Sequence, residues 1–110
     1  MIRKHAPTFW VKIWMAGNYT KAEDICRQYC TRGMCVSICP MNYIYTGGEE
    51  SGFCITLINY PRFPATSFVD IKDKAHELAL LLMDGLYQQS FTIEDPVDTL
   101  FFSKRPEDMR

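Results

Sequence analysis

Residues 34–58 read MCVSICPMNYIYTGGEESGFCITLI, and this stretch decides the fold. Apolar and polar residues alternate on both sides of a centre that holds Gly47 and Gly48. Alternation with a period of two is typical of a half-buried β-strand, and paired glycines permit the positive φ of a tight turn. The stretch therefore predicts a β-hairpin with its tip at the two glycines.

The glycine pair does not match a phosphate-binding loop. Such a loop joins a strand to a helix N-terminus, where backbone amides and usually a lysine meet the anion. Here Gly47 and Gly48 are followed by Glu49 and Glu50, which would repel phosphate, and then by a second strand. We interpret the tip as structural.

A strand and a helix are predicted before the hairpin. Residues 8–15 are rich in aromatic and β-branched types and alternate, which predicts a strand. From Thr20 onward the apolar residues recur at helical spacing. Thr20 and Glu23 have the spacing of a capping box, and Gly33 is a natural stop for this helix.

A second helix and a last strand are predicted after the hairpin. Prolines at 61 and 64 end the hairpin's second strand, because neither can donate to a ladder. Ser67 has the character of an N-cap, and the apolar spacing behind it predicts a helix to about Gln89. Residues 98–103 predict the last strand, with residues 91–93 joining it.

The predicted order β-α-β-β-α-β is that of the ferredoxin-like plait. This is an α+β fold in which two helices cover one face of a four-stranded antiparallel sheet. We expect one domain over residues 1–110, since this length and an apolar content of 47% suffice for one core. Its ordered core is expected over about 8–103, with a flexible arm at 1–7 and a flexible tail at 104–110.

The face of the sheet away from the helices is the main candidate binding surface. Alternation assigns Trp10, Lys12 and Trp14 to it from the first strand. The hairpin strands add Cys35, Cys39, Cys54 and Thr56. A face with two tryptophans and three cysteines is too apolar to leave in water, so we expect a homo-oligomer that buries it.

Nucleic-acid binding on Trp10 and Trp14 is a second interpretation of this face, because RNA-binding sheets stack bases on aromatic side chains. It is less favoured here. The third strand offers Cys54, Thr56 and Ile58 where such proteins place aromatics, and the net charge is −1.

The connector after the hairpin is the other candidate site. Prolines bracket Arg62 between Tyr60 and Phe63, which holds a guanidinium in a rigid loop suited to an anion or a partner. In the simpler interpretation the two aromatics cover the edge of the core and Arg62 is solvated. If the protein binds a small molecule or is an enzyme, we expect its pocket between the Gly47-Gly48 hairpin and the loop 60–64.

The cysteines do not predict a metal site or a catalytic thiol. Cys26 and Cys30 are expected on the helix side, whereas Cys35 and Cys39 are expected on the opposite face, so one metal cannot reach both pairs. Neither histidine in the chain is placed beside a cysteine as a base. We therefore expect free thiols, no cofactor and no metal.

The composition also bears on localisation. The longest apolar run, residues 78–83, is far shorter than the roughly 20 residues that span a bilayer. The N-terminus lacks the pattern of a secretory signal, and five cysteines, an odd number, are expected as thiols in a reducing compartment. We predict a cytoplasmic protein that does not bind membranes.

Two stretches carry resemblances to known groups of proteins. Residues 21–26 and 32–40, followed by a long hairpin with tyrosines, are similar in rhythm to the CutA family, which implies a plait and an oligomer but transfers no metal site. Residues 43–50 and 57–64 resemble a group of small proteins of phages and mobile elements. That resemblance implies a protein that binds and modulates a host component, and it implies no catalytic residues.

The sequence thus favours a small non-catalytic binding or regulatory protein that is a homo-oligomer, with a host protein as a further partner. An enzyme or small-molecule-binding protein is the alternative, and nucleic-acid binding is the second alternative.

Overall fold

The structure is a computed structural model and describes residues 1–109. Its elements are β1 (Trp10–Ala16), α1 (Tyr19–Tyr29), a 3₁₀ turn (Cys30–Arg32), β2 (Val36–Tyr45), β3 (Gly48–Ile58), α2 (Phe68–Gly85), β4 (Ser90–Glu94), β5 (Thr99–Ser103) and a second 3₁₀ turn (Pro106–Asp108). The α+β class is confirmed.

The strands form one sheet in the order β2-β3-β1-β4-β5, and every neighbouring pair is antiparallel. The prediction of four strands is wrong by one. Residues 91–93 do not join the last strand but belong to β4, a separate strand that pairs with β5. Asp95 separates the two strands. Its carboxylate accepts hydrogen bonds from the amides of Val97 at 2.8 Å and Asp98 at 2.9 Å and so closes a turn between β4 and β5.

Both helices pack on one face of this sheet. The inward side chains of β1 and β3 alternate with outward ones, as predicted, and five of them are fully buried, namely Val11, Ile13, Phe53, Ile55 and Leu57. From α2 the apolar stripe supplies Ala75, Leu78 and Leu82, which are also fully buried. Each large side chain buried in this way contributes about 1.5–3 kcal/mol to folding, so this layer holds the sheet and α2 together.

The helix boundaries agree with the prediction at two ends and differ at the other two. Ser67 caps α2 as predicted by accepting from the amide of Asp70, and Gly33 has a φ of 88° just beyond the first helical segment. However, Asn18 rather than Thr20 caps α1, because its side chain accepts from the amide of Lys21. The second helix ends at Gly85 and not near Gln89, since Tyr87 adopts a positive φ of 56° that no helix continues.

The predicted hairpin is confirmed, with Gly47 at a φ of 93° in its turn. Its strands are longer than β1, whose pairing with β3 ends where Ala16 meets Gly52. Residues 42–51 therefore extend past β1 as a two-stranded ribbon. None of the helices described in residues 1–109 is long and apolar enough to cross a membrane.

Candidate functional site

Two rows of side chains cross the face of the sheet that the helices leave uncovered, which we call the outer face. Strand register fixes the order within each row, from β2 to β5. The first row consists of Cys39, Cys54, Trp14, Thr92 and Phe101. The second row consists of Ser37, Thr56, Lys12, Glu94 and Thr99.

Most of the candidate residues from the sequence lie together on this face. Trp10 and Ile58 pair beyond the second row, so Trp10, Lys12, Trp14, Cys39, Cys54 and Thr56 share one surface. That these residues bind a partner or ligand stays a prediction.

Cys35 is not on the outer face. Because β2 begins only at Val36, the alternation does not extend back to Cys35. This exposed thiol lines a groove of about 360 Å³ beside α1, which Cys26 and Cys30 also line. The predicted separation of the four cysteines into two opposite pairs is therefore wrong for Cys35.

Tyr60 and Arg62 are also remote from the outer face's rows. Their loop follows one end of β3, whereas the Gly47-Gly48 tip lies at the other end of this 11-residue strand. At about 3.3 Å per residue the two are on the order of 33 Å apart. A single chain therefore cannot form the predicted pocket between the hairpin tip and this loop. Arg62 instead lies 5.6 Å from the ring of Phe63, next to the N-terminal arm.

The outer face does contain a pocket, of about 330 Å³, where the hairpin extends past β1. We call it the aromatic pocket. Its outer-face lining consists of Trp14 and Ala16 from β1, Tyr43 and Tyr45 from β2, Glu50 from β3, Ser90 and Thr92 from β4, and Phe101 from β5. The pocket exists because β1 stops while the strands on both sides continue.

Gly52 allows Tyr43 to cover the sheet at the pocket's edge. A Cβ at position 52 would lie 2.8 Å from Cε2 of Tyr43 and 2.2 Å from the carbonyl oxygen of Met15. The Tyr43 ring also meets Trp14 edge-on, with ring centroids 6.4 Å apart, and its hydroxyl donates to the carbonyl of Phe53. Burial raises the pKa of Tyr43 to about 12, so this wall of the pocket is a neutral phenol at physiological pH.

Two carboxylates accept hydrogen bonds from the aromatic side chains of this region, Trp14 and Tyr45. The indole Nε1 of Trp14 donates to Oε1 of Glu94 at 2.9 Å, and the hydroxyl of Tyr45 donates to Oε1 of Glu50 at 2.9 Å. The hydrogen bond to Glu50 is the largest cause of the raised pKa of Tyr45. Aromatic faces beside carboxylates suit an organic cation or a flat heterocycle.

Lys12 lies between the two tryptophan rings of the outer face. Its Nζ lies 5.5 Å from the ring centroid of Trp10 and 5.8 Å from that of Trp14. Both distances are within the range of a cation–π interaction.

Cys26, Cys30 and Cys54 are poorly suited to nucleophilic catalysis. Burial raises the pKa of Cys26 to about 12, and burial is also the main cause of the raised pKa values of Cys30 and Cys54. A thiol with a raised pKa is protonated at neutral pH and is a weak nucleophile. Within residues 1–109 no group of three or more His, Cys, Asp or Glu side chains is arranged to hold a metal ion.

The structure is similar to two solved structures over nearly its whole length. One is described as phage SAM lyase in complex with S-methyl-5′-thioadenosine, with a TM-score of 0.64, 18% identity, and coverage of 94% of this chain and 95% of the other. The second is the phage SAM lyase in its apo state, with a TM-score of 0.66, 16% identity, and coverage of 96% and 97%. The chain shares the fold of phage SAM lyase. No protein-family model matches it, and no curated protein does.

This likeness contradicts our main functional interpretation, a non-catalytic protein that modulates a host component. Both similar proteins are enzymes, so the alternative interpretation, an enzyme or small-molecule-binding protein, agrees better with the fold. The resemblance to small phage proteins is consistent with phage SAM lyase, whereas the likeness to CutA is not confirmed.

Sequence reasoning missed five residues of this region, namely Tyr43, Tyr45, Glu50, Glu94 and Phe101. A signal for the two tyrosines was present, because a period of two from Cys39 puts residues 41, 43 and 45 on the same face. Glu50 stands beside the glycines of the hairpin tip and Glu94 precedes the Asp95-Pro96 break, which are positions where acidic residues are usually solvated. Glu50 reaches Tyr45 through the β2–β3 pairing of the hairpin. The proximity of Glu94 to Trp14 depends on β4 pairing with β1, which no local pattern indicates.

Proposed function

We propose that the protein is a lyase that cleaves S-adenosylmethionine or a closely related sulfonium compound in the aromatic pocket. The observation that carries the proposal is a pocket lined by aromatic rings and the carboxylate of Glu50, in a chain with the fold of phage SAM lyase. A sulfonium ion is an organic cation, and adenine is a flat heterocycle. The pocket offers π faces to both and the negative charge of Glu50 to the cation.

The bond that breaks follows from the chemistry of substrate and product. S-methyl-5′-thioadenosine keeps the methyl group and the adenosyl group of S-adenosylmethionine, so the bond lost joins sulfur to the γ-carbon of the amino-acid arm. The bonding electron pair stays on sulfur, which becomes a neutral thioether. The arm then either closes on itself, when its carboxylate oxygen bonds to the γ-carbon and forms a lactone, or loses a β-proton to a base and becomes an alkene.

Ring closure is the simpler route, because it needs no base from the protein. This route brings a carboxylate and a sulfonium together and neutralises both charges, which costs less in a water-poor site than in bulk solvent. Elimination instead needs a base, and Glu50 is the carboxylate in the pocket lining. In either route Trp14, Tyr43 and Phe101 exclude water and orient the cation.

The test is to incubate the purified protein with S-adenosylmethionine and to measure release of S-methyl-5′-thioadenosine by chromatography, with mass spectrometry of the second product. We expect cleavage, and we expect Trp14→Ala to lower the rate about tenfold or more, since a desolvated cation–π contact contributes about 2 kcal/mol. Trp10→Ala is the matched control, because Trp10 is on the same strand and face but outside the pocket lining.

The proposal fails if the wild-type protein neither binds nor cleaves S-adenosylmethionine. It also fails if Trp14→Ala, folded by circular dichroism, retains the full rate.

We also propose that the fold is a ferredoxin-like plait to which β5 adds a fifth strand, since β2-β3-β1-β4 is the strand order of that plait. The homo-oligomer through the outer face and the cytoplasmic localisation stay proposals of the same kind. The apolar side chains of the outer face support the first of these.

A further inference from the structure

We propose that Arg105 binds the carboxylate of the ligand in the aromatic pocket and thereby selects sulfonium compounds that keep an α-amino acid headgroup. This inference rests on the function proposed above and names the residue that would read the substrate's amino-acid end.

The position of Arg105 is fixed at the rim of the pocket. It follows β5, and its amide donates to Oγ of Ser103 at 3.0 Å. Its Nη1 lies 3.3 Å from Oγ of Ser90, which lines the pocket. On the hairpin side, Glu50 raises the pKa of Tyr45 and the positive charge of Arg105 lowers it, so the guanidinium is also close enough to act on that hydroxyl.

The guanidinium is available to a ligand. Its ion pair with Asp108 has an Nη1–Oδ2 distance of 3.6 Å, and both side chains are about one-third exposed, at 39% and 33%. An exposed ion pair of this kind contributes only about 0.2–1 kcal/mol to the stability of the fold, so a ligand can displace it. Within residues 1–109 the one hydrogen bond and the one ion pair of this side chain both use Nη1. The remaining donors can bind a carboxylate in the two-pronged geometry that a guanidinium prefers.

The charges around the pocket match an amino-acid headgroup. Glu50 lies on the hairpin side and Arg105 on the β4–β5 side, so an anion and a cation face the pocket from opposite sides. The α-ammonium and α-carboxylate of S-adenosylmethionine carry the complementary pair of charges. S-methyl-5′-thioadenosine has neither group, so Arg105 would hold the substrate but not this product.

The experiment measures the affinity of wild type, Arg105→Ala and Arg105→Lys for three ligands, by isothermal titration calorimetry for each ligand that stays intact and as the KM of cleavage for a ligand that the protein cleaves. The ligands are S-adenosylmethionine, its decarboxylated analogue and S-methyl-5′-thioadenosine. We expect Arg105→Ala to weaken binding of S-adenosylmethionine about tenfold or more, as for loss of a charged hydrogen bond, and to leave the other two unchanged. Arg105→Lys should lose less affinity than Arg105→Ala, because lysine keeps the positive charge but not the two-pronged donor geometry of the guanidinium.

Lys104→Ala is the matched control, since it removes the same charge from the neighbouring, exposed residue. If wild type binds none of the ligands, the proposed function fails. If wild type binds S-adenosylmethionine but Arg105→Ala weakens all three ligands equally, or none, the role of Arg105 is wrong while the function stands. If Lys104→Ala loses as much affinity for S-adenosylmethionine as Arg105→Ala does, the proposed role of Arg105 is also wrong, because a general charge effect would then explain the result.

Discussion

At the scale of single residues, Gly52 couples the backbone to the aromatic pocket. Its missing side chain lets β3 approach the end of β1, where a Cβ would lie 2.2 Å from the carbonyl oxygen of Met15 and 2.7 Å from Cα of Ala16. These are backbone atoms and cannot move by rotation of a side chain. The same space receives the ring of Tyr43, so one glycine permits both the strand pairing and the pocket wall.

We predict that Gly52→Ala lowers the free energy of unfolding by about 3 kcal/mol, the upper end of the usual cost of overpacking, because two strands must separate. Urea denaturation followed by tryptophan fluorescence measures this change. Gly47→Ala is the control, because a Cβ at position 47 would meet no other atom within 4 Å, but the residue has a φ of 93°. The substitution should therefore lower the free energy of unfolding only by the strain of that backbone conformation, about 1–2 kcal/mol. A smaller effect at position 52 than at position 47 would contradict the steric argument.

At the scale of elements, the start of α1 shows how local signals compete. Thr20 and Glu23 have the spacing of a capping box, but Asn18 lies two residues earlier and its side chain reaches the amide of Lys21 at 2.9 Å. Asparagine is among the best N-cap residues, slightly better than threonine. The helix therefore begins at Tyr19, and Thr20 lies within its first turn.

We predict that Asn18→Ala lowers the free energy of unfolding by about 1 kcal/mol, the usual cost of losing an N-cap. Thr20→Ala should cost less than about 0.5 kcal/mol, because alanine has the higher helix propensity and no cap is lost. Thermal and urea unfolding of the two variants provide the comparison. A larger loss for Thr20→Ala would mean that the capping box forms after all.

The strand pairing of β4 and β5 is a second case at this scale. Residues 91–93 and 98–103 were both recognised as extended from their apolar pattern. That they are two strands follows from the buried carboxylate of Asp95, which binds two amides of the turn and also Lys72, with an Nζ–Oδ2 distance of 3.4 Å. Burial alone would raise the pKa of Asp95, but the amides of Asp98 and Val97 and the ammonium of Lys72 outweigh it and lower the pKa.

At the scale of the whole molecule, the outer face exposes large apolar side chains to solvent. Ile58 is 50% exposed and Phe101 is 59% exposed, at opposite regions of the face. Apolar side chains of this size in one surface are a common mark of an interface. The expected homo-oligomer would bury both of these side chains.

We predict that light scattering at physiological ionic strength gives a mass of more than one chain, and that Ile58→Lys shifts the mass toward a single chain. A lysine there places an unpaired charge in the buried contact. Val69→Lys is the control, since Val69 is 65% exposed but lies on α2, on the helix side. A single-chain mass for the wild type would show that the outer face stays open in solution.

Much of the outer face could be predicted from the sequence because side-chain direction in a strand is a local property. The alternation of β1 was enough to assign Trp10, Lys12 and Trp14 to one face, and that of β3 was enough for Cys54 and Thr56. The assignment failed for Cys35 because β2 begins only at Val36, the residue after it. It failed for the pocket between the hairpin tip and the loop at Tyr60 because strand length separates them.

The sequence by itself determined the α+β class, the hairpin with its turn at Gly47, the cap of α2 at Ser67 and the direction of most side chains on the outer face. These depend on contacts between residues close in the chain. Only the tertiary structure decided that the hairpin extends past β1 and that β4 lies beside β1. It also decided that Tyr43, Glu50 and Phe101 line one pocket with Trp14 and that Arg105 lies at the rim of this pocket. Those positions depend on strand order and strand length, because pairing between distant segments brings residues together that no local period relates.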